Sequence, residues 1–490
     1  MRRPVLAWIV PVVLVGLVAG CGLKGTPRPD VPPETRIFVQ GSLATVDHTV
    51  HLYWFGTDPD GTIKGFEIRT LDTGRAADSV WTFTTRTDSV FSFYAPTGSV
   101  APTFEVRAID NAGLKDPPPA RQDFRFTNQP PVVTITNKFA VRDTTFASAT
   151  ISWRVTDPDN DLRQVLFRVW LDGNAAAPNL VTGTTFTVPS DQFLQGGQYT
   201  SARRTLYIQA VDDGGMAGNV DSTAWFVRAP ATQGHTHPGR LLILDDSPSS
   251  NTQDGLADTL YSNTAERNLP EGSYNILRTQ FTQPFRSSKD LEQTFKLFDA
   301  VVWYIGGKTN FITYSTLLQN YSDGIGAYLD SGGNLYLDGL DLIGTYRARG
   351  PLTETFAKRY LGTDGFALHF DNVLMDSTGA WSSAGGRTAL LYPTGTGAAA
   401  PDDSLSMVQS QDSGLRGFLV HDPAYALIVA PTTTMSPNSA YPMTIAVSVP
   451  QSSGGRAIVV SFPMAWTRAR DPKTPRVLAK IFGLLGLTGP

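Results

Sequence analysis

Between Val50 and Trp54 apolar and polar side chains alternate. Val50, Leu52 and Trp54 fall on one face of an extended chain, and His51 and Tyr53 on the other. Ile151, Trp153 and Val155 repeat the alternation. Successive side chains of a strand point to opposite faces, so this pattern predicts half-buried strands of an antiparallel sheet. From Arg240 the pattern changes. RLLILDDS is a continuous apolar run ending in carboxylates, and FDAVVWYIGG (Phe298–Gly307) and GGNLYLDG (from Gly332) are similar. Runs without a polar face predict strands covered on both sides. Helical spacing is expected around Asp254–Asn263 and over Tyr314–Leu329, with a further strand at Tyr274–Thr279. Strands alternating with helices predict an α/β doubly wound sheet. MTIAVSV (Met443–Val449) and RAIVVSFP (Arg456–Pro463) flank a Gly-containing turn and read as paired strands. Thr474-Pro475 then opens a helix with a cap and a proline at its first position. Val477, Leu478, Ile481, Phe482 and Leu485 give that helix an apolar face. Residues 366–440 are rich in Gly, Ser and Thr and read as an irregular, partly β insertion.

The alternating part is a repeat. VHLYWFGTDPDGTIKGFEIR (Val50–Arg69) parallels ATISWRVTDPDNDLRQVLFRV (Ala149–Val169), with Trp54 on Trp153 at an offset of 99. FEVRAIDNAG (Phe104–Gly113) parallels LYIQAVDDGG (Leu206–Gly215) at an offset of 102. Near-equal offsets predict two copies of a module of about 100 residues. Asp-Pro-Asp-Gly is a turn with a mechanism: Pro presets φ, Asp bonds nearby backbone and Gly tolerates positive φ. Short strands punctuated this way predict all-β sandwiches. The early-strand Trp, the Asp-Pro-Asp turn and the Val-x-Ala-x-Asp strand resemble fibronectin type III modules, within a broader Ig-like class. The expected boundaries are 35–128 for the first module and 129–229 for the second. Residues 230–239 form a linker; its His235 and His237 could bind a metal, but two ligands in a linker make a weak site, and the competing reading is a plain hinge.

The N-terminus has its own layout. Arg2 and Arg3 precede an almost wholly apolar run from Val5 to Val18, then Ala19-Gly20. This is the order of a secretory signal, and the run falls short of the roughly 20 residues of a membrane span. LVAGC (Leu17–Cys21) resembles the lipobox of bacterial lipoproteins, which implies a signal over 1–21 and a diacylglycerol on Cys21. Multiple acyl chains, at about 0.8 kcal/mol per buried CH₂, are what stable anchoring requires. The resemblance also implies that Gly22, standing where an Asp is absent, permits transport to the outer membrane. Residues 22–34, GLKGTPRPDVPPE, have almost nothing to bury and predict an extended tether.

Cys21 is the only cysteine of the 490 residues. Disulfides within the chain, Cys-rich zinc sites and thiol nucleophiles in the folded part are excluded. Formal charge is −4, and loss of Arg2 and Arg3 with the signal would take it to −6. Basic residues are scattered, which leaves no footprint for nucleic acid. Asp58, Asp60 and Asp110 in the first module, and Asp157, Asp159, Asp161 and Asp212 in the second, are oxygen ligands of the kind calcium favours. The competing reading is that they cap their own turns.

The order of LLILDDS, DAVVWYIGG, helix, GGNLYLDG and GRAIVVSFPMAW with its helix resembles class I glutamine amidotransferase-like domains, and among them the ThuA-like relatives. The resemblance spans 240–490 and implies a flavodoxin-like α/β fold. In that family the strand at 334–338 leads into a Cys at a tight elbow, with a His and a Glu supplied later. Here the corner reads Asp338, Gly339, Leu340, Asp341, with no Cys and no Ser elbow. His369 and His421 are left as bases without a nucleophile, so covalent catalysis is not expected. Ligands of open α/β sheets bind beyond the carboxyl ends of the strands. Asp245, Asp246, Ser247, Gly306, Gly307, Lys308, Asn310, Asp338, Asp341 and Trp466 occupy those ends. Of these, Asp245, Asp246, Asn310, Asp338 and Asp341 are the candidate ligand-binding residues, with Lys308 and Trp466 beside them for a sugar or a cation; the competing reading is that they are helix caps and turn residues, which strand ends collect in any case.

The expectation is therefore a lipid-anchored cell-envelope protein, most readily on the outer membrane, with a binding or assembly role. Its partners would be the membrane and either an envelope glycan or another envelope protein. The alternatives are a carboxylate- or metal-dependent hydrolase of envelope glycans, and a calcium-dependent adhesive stalk.

Overall fold

A computed structural model describes residues 28–39, 49–72, 76–158, 165–231, 236–247, 254–279, 284–305, 316–339, 342–343, 351–366, 388–391, 405–406, 418–420, 422–430, 443–466 and 473–487. Two compact units are present. One takes in Met1–Val133, Val155–Arg168 and Gln209–Val220; the other takes in Thr134–Arg154, Val169–Ile208 and Asp221–Pro490.

The first repeat copy has a three-stranded sheet of Glu34–Val39, Thr49–Thr57 and Asp88–Ser92. Its four-stranded sheet runs in the order Thr82–Thr84, Ile63–Leu71, Thr103–Asp110, Ala120–Asp123. Every neighbouring pair is antiparallel. Val50, Leu52 and Trp54 meet Phe66, Phe104 and Val106 in one apolar cluster, as the alternation requires. Trp54 lies 5.8 Å from Phe104, ring centre to ring centre. The second copy has a three-stranded sheet of Val132–Ile135, Ala149–Thr156 and Thr185–Val188. Its five-stranded sheet runs Thr144–Thr145, Ala217–Val227, Ala202–Val211, Leu166–Leu171, Asn179–Val181. Trp54 and Trp153 are both buried. Both copies are β-sandwich modules.

In the C-terminal part, Gly239–Asp245 (β1), Tyr274–Arg278 (β2), Phe298–Tyr304 (β3), Asn334–Asp338 (β4), Met443–Pro450 (β5) and Arg456–Val460 (β6) lie side by side in the order β2-β1-β3-β4-β6-β5. The first five in that order pair in parallel. β5 pairs with β6 antiparallel. Helices Asp254–Asn268 (α1), Ser288–Phe295 (α2), Thr316–Asn320 (α3), Ser322–Asp330 (α4), Glu354–Tyr360 (α5) and Lys473–Leu484 (α6) complete this part. Alternate strand residues face opposite sides. Leu241, Ile243, Val302, Tyr336 and Ile458 cluster with Tyr261 of α1 and with Val477, Ile481 and Phe482 of α6. On the other side Trp303 meets Phe295 of α2 at 6.0 Å, and Phe295 meets Tyr328 of α4 at 5.4 Å. Sheet faces covered on both sides explain the unbroken apolar runs.

Two local expectations change. The single helix over Tyr314–Leu329 is broken at Tyr321 (φ −124°) into α3 and α4. Tyr321 is held from outside the helix, its hydroxyl donating to the Phe285 carbonyl at 3.0 Å. Within 366–440, the described strands Thr388–Leu391, Phe418–Val420 and Ala426–Ala430 belong to the same sheet as β5.

Helix α2 also joins the C-terminal part to the second sandwich. Asp290, almost fully buried, accepts the Ser148 hydroxyl (3.1 Å), the Thr150 N–H (3.1 Å), the Thr150 hydroxyl (2.8 Å) and the Arg286 N–H (3.0 Å). The Arg286 guanidinium stacks over Phe139 at 3.5 Å and donates to the Asn137 carbonyl.

Candidate functional site at the carboxyl ends of the parallel strands

Counting only the parallel strands, the order is 2-1-3-4-5, with direction reversing between β1 and β3. That switch point is where such sheets leave a crevice beyond the strand ends. Asp245 ends β1, Tyr304 ends β3 and Asp338 ends β4. Helix α1 brings Asp258 and Tyr261 over them.

Asp338 is the centre of the arrangement. It is 1% exposed. Its Oδ2 accepts the Tyr261 hydroxyl, the Tyr336 hydroxyl at 3.0 Å and the Met464 N–H at 3.0 Å. Its Oδ1 is buried with no hydrogen-bond partner. Burial pushes this carboxyl up to about 7, against the opposing pull of the donors from Tyr261, Met464 and Tyr336. Burial, then the charge of Asp338, holds both tyrosine hydroxyls well above their usual range. Near neutral pH the group is thus poised between acid and carboxylate, and only in its acid form can it donate.

A second network runs beside it. Tyr261 stacks on Tyr304 at 4.7 Å, and the Tyr304 hydroxyl donates to Asp258 Oδ1. Arg278 pairs with Asp258 (3.2 Å) and Asp245 (3.6 Å). Asp245 Oδ1 accepts the Ser247 N–H and hydroxyl, each at 3.1 Å. Asp246 accepts the Thr279 hydroxyl (2.9 Å) and the Trp303 indole N–H (3.3 Å).

Asp245, Asp246 and Asp338 therefore do sit at the strand ends, but each is engaged by the protein's own donors. Asn310, Asp341, Gly306, Gly307 and Lys308 lie outside the described residues, as do His369 and His421. Trp466 lies in the short turn Met464–Trp466 after β6. Sequence reasoning missed Tyr261, Tyr304, Tyr336, Asp258 and Arg278. The available signal was a Tyr near the end of an otherwise apolar run, as in VVWY and LYLD. A buried phenol in such a place needs a partner for its hydroxyl.

In the sandwich turns the carboxylates act first as caps. Asp110 Oδ1 accepts the N–H groups of Ala112 (2.8 Å), Gly113 (2.6 Å) and Leu114 (2.9 Å). Asp58 Oδ1 accepts the Asp60 N–H at 3.2 Å, and Asp212 Oδ1 the Met216 N–H at 2.8 Å. Asp157 is at its turn, while Asp159 and Asp161 lie outside the described residues, as do Cys21 and His235. His237 contacts Asp299 at 3.1 Å. Among the described residues no three His, Cys, Asp or Glu side chains are grouped as metal ligands. No helix among them is long and apolar enough to cross a membrane.

Several solved structures resemble the chain. Fibronectin(III)-like modules of Clostridium thermocellum CbhA are 13% identical, with 41% of this chain and 99% of that one covered at a TM-score of 0.19. Chicken CNTN1 FN1-FN3 domains are 15% identical, covering 44% and 70% at a TM-score of 0.18. The PKD1 domain from Vibrio cholerae metalloprotease PrtV is 15% identical, covering 20% and 99% at 0.15. No protein-family profile matches the chain, and no curated protein matches it.

Proposed function

We propose that the protein is an exported lipoprotein of the cell envelope, anchored through Cys21, with a binding or assembly role. In this reading its fibronectin type III-like sandwiches are a spacer for a doubly wound domain of amidotransferase-like plan that has lost the family's nucleophile. The observation that carries it is Asp338. The residue at the elbow position is a carboxyl at 1% exposure, committed to Tyr261, Tyr336 and Met464. A nucleophile must be offered to substrate beside its base; this group is turned into the core. The weld through Asp290 supports a scaffold role, since it ties the second sandwich to α2 by three hydrogen bonds from Ser148 and Thr150.

One observation favours a rival. A buried carboxyl raised to about 7 is also what a general acid requires. The deciding experiment uses the purified full chain in a thermal-shift screen against envelope saccharides, with Asp338→Asn beside it. Absence of any saccharide-dependent shift is expected for a protein-assembly role. A saturable rise that Asp338→Asn abolishes would overturn it in favour of a glycan hydrolase or lectin. Anchoring has its own test: mass spectrometry of the membrane fraction should find a diacylated N-terminal Cys21. Cys21→Ala should release the chain from the membrane.

A further inference from the structure

Turn capping accounts for only half of the carboxylate chemistry at the acidic end of the first sandwich. Asp110 is 0% exposed, and the three N–H groups that cap it use Oδ1 alone. Its Oδ2 is buried with no hydrogen-bond partner, and so is Oδ2 of Asp58 across the turn. Leaving two carboxylate oxygens dry and unmatched costs far more than the caps return, unless a positive charge joins them. Asn111 presents a third oxygen beside Asp58: its Oδ1 accepts the Thr62 N–H at 2.8 Å, and a Cβ on Gly61 would collide with both that oxygen and Asp58 Oδ2. These two oxygens converge on a place that a glycine keeps clear. Asp60 and Asp30 approach from the solvent side, Asp60 Oδ1 accepting the Val31 N–H at 3.4 Å. Asp30 lies within electrostatic reach of Asp110, Asp60 and Asp58. Four carboxylates thus crowd one end of the module.

We propose that this end of the first sandwich is a divalent-cation site of the calcium class, held by Asp58, Asp110 and Asn111 and completed by Asp30 or Asp60. The donor set is all oxygen, mixing carboxylate with amide carbonyl, as a hard cation of flexible coordination takes. Its third carboxylate has to swing in, since no three acidic groups among the described residues are gathered as ligands. That places its affinity in the weak class of extracellular modules, with a Kd of roughly 10⁻⁴ to 10⁻³ M. Because Asp30 belongs to the segment that leads into the first strand, a bound cation clamps that segment to the module.

The test is a calcium titration of the full chain after chelation, read by melting temperature and by calorimetry, up to about 10 mM. The expected result is a saturable rise of about 3–5 °C in the first transition. Asp58→Asn with Asp110→Asn keeps the capping oxygens and should abolish it. Gly61→Ala, which keeps every ligand residue but puts a methyl group against the oxygens of Asp58 and Asn111, should weaken binding about tenfold or more. If the double variant does not fold, the Gly61→Ala result alone decides. No rise in the wild type, or a rise undiminished in the variants, would overturn the site.

Discussion

The same glycine turn occurs in both repeat copies and meets opposite surroundings. Gly113 (φ 97°) closes the Asp110 turn of the first sandwich, and a side chain there would meet nothing within 4 Å. Gly215 (φ 86°) closes the Asp212 turn of the second, where a Cβ would overlap the Tyr94 ring. Next to it, the Ala95 N–H donates to the Gly214 carbonyl at 2.7 Å. Asn128, 4% exposed, donates to the Ala95 carbonyl at 3.3 Å. One copy of the turn is therefore a free end, and the other is a socket between modules. Both glycines answer the same backbone demand, a left-handed φ. Only the second also answers a packing demand, so repeat position decides whether a turn serves a fold or an interface.

The largest effect should come from filling the socket. Gly215→Val would add the strain of positive φ for a β-branched residue to a clash with Tyr94, for a loss of about 4 kcal/mol or more. Chemical denaturation of the full chain should show the first transition moved accordingly, with limited proteolysis opening between the repeats. A loss near 1 kcal/mol would mean that Tyr94 does not sit on the turn.

The second sandwich meets the C-terminal part differently, through a buried charge in place of backbone and glycine. Asp290→Ala leaves the Ser148, Thr150 and Arg286 donors unmatched and should cost about 3 kcal/mol. Burial raises the Asp290 carboxyl above its usual range despite its donors, so the folded protein holds that proton more tightly than the unfolded chain. Stability at this junction is then greatest at low pH and declines as pH rises from about 4 through the folded-state value. The wild-type slope should vanish in Asp290→Asn, read from denaturation midpoints at several pH values.

Asp338 sharpens the contrast between a titrating region and a capping one. Its carboxyl is raised to about 7, so between about pH 4 and pH 7 the native state binds the extra proton. Stability should fall with rising pH, at most by about 1.4 kcal/mol per pH unit at the steepest point. Asp338→Asn should flatten that part of the profile. An unchanged slope would show that the Tyr261 and Tyr336 hydroxyls stabilise the carboxylate more than burial opposes it.

The sequence was most legible where one residue had one job. Val50, Leu52 and Trp54 had to share a face, and Leu241–Leu244 had to be covered on both sides; both readings follow from periodicity alone. The turn carboxylates were legible as caps or ligands but not as which, because choosing depends on where each second oxygen points. The Tyr261–Asp338 contact was illegible, since it joins a helix to a strand 77 positions later through a hydroxyl tip and a carboxylate oxygen. The same holds for Asp290, whose partners Ser148 and Thr150 lie 142 and 140 positions before it. Such pairings are set by tertiary packing, which leaves no period in the chain.

The smallest effect is the one that calibrates the rest. Gly113→Ala faces only the backbone penalty of a left-handed residue, about 1 kcal/mol, with open space for its methyl group. Gly215→Ala at the matching position carries the same penalty plus displacement of Tyr94. The difference between the two melting shifts therefore measures the socket itself, with the turn conformation subtracted by the repeat. Equal shifts would mean that the second sandwich's turn is as free as the first's, and that the contacts of Ala95 and Asn128 hold the modules together without Tyr94. A difference of about 2 kcal/mol or more assigns the junction to that ring, and Tyr94→Ala in the Gly215→Ala background should then recover most of it.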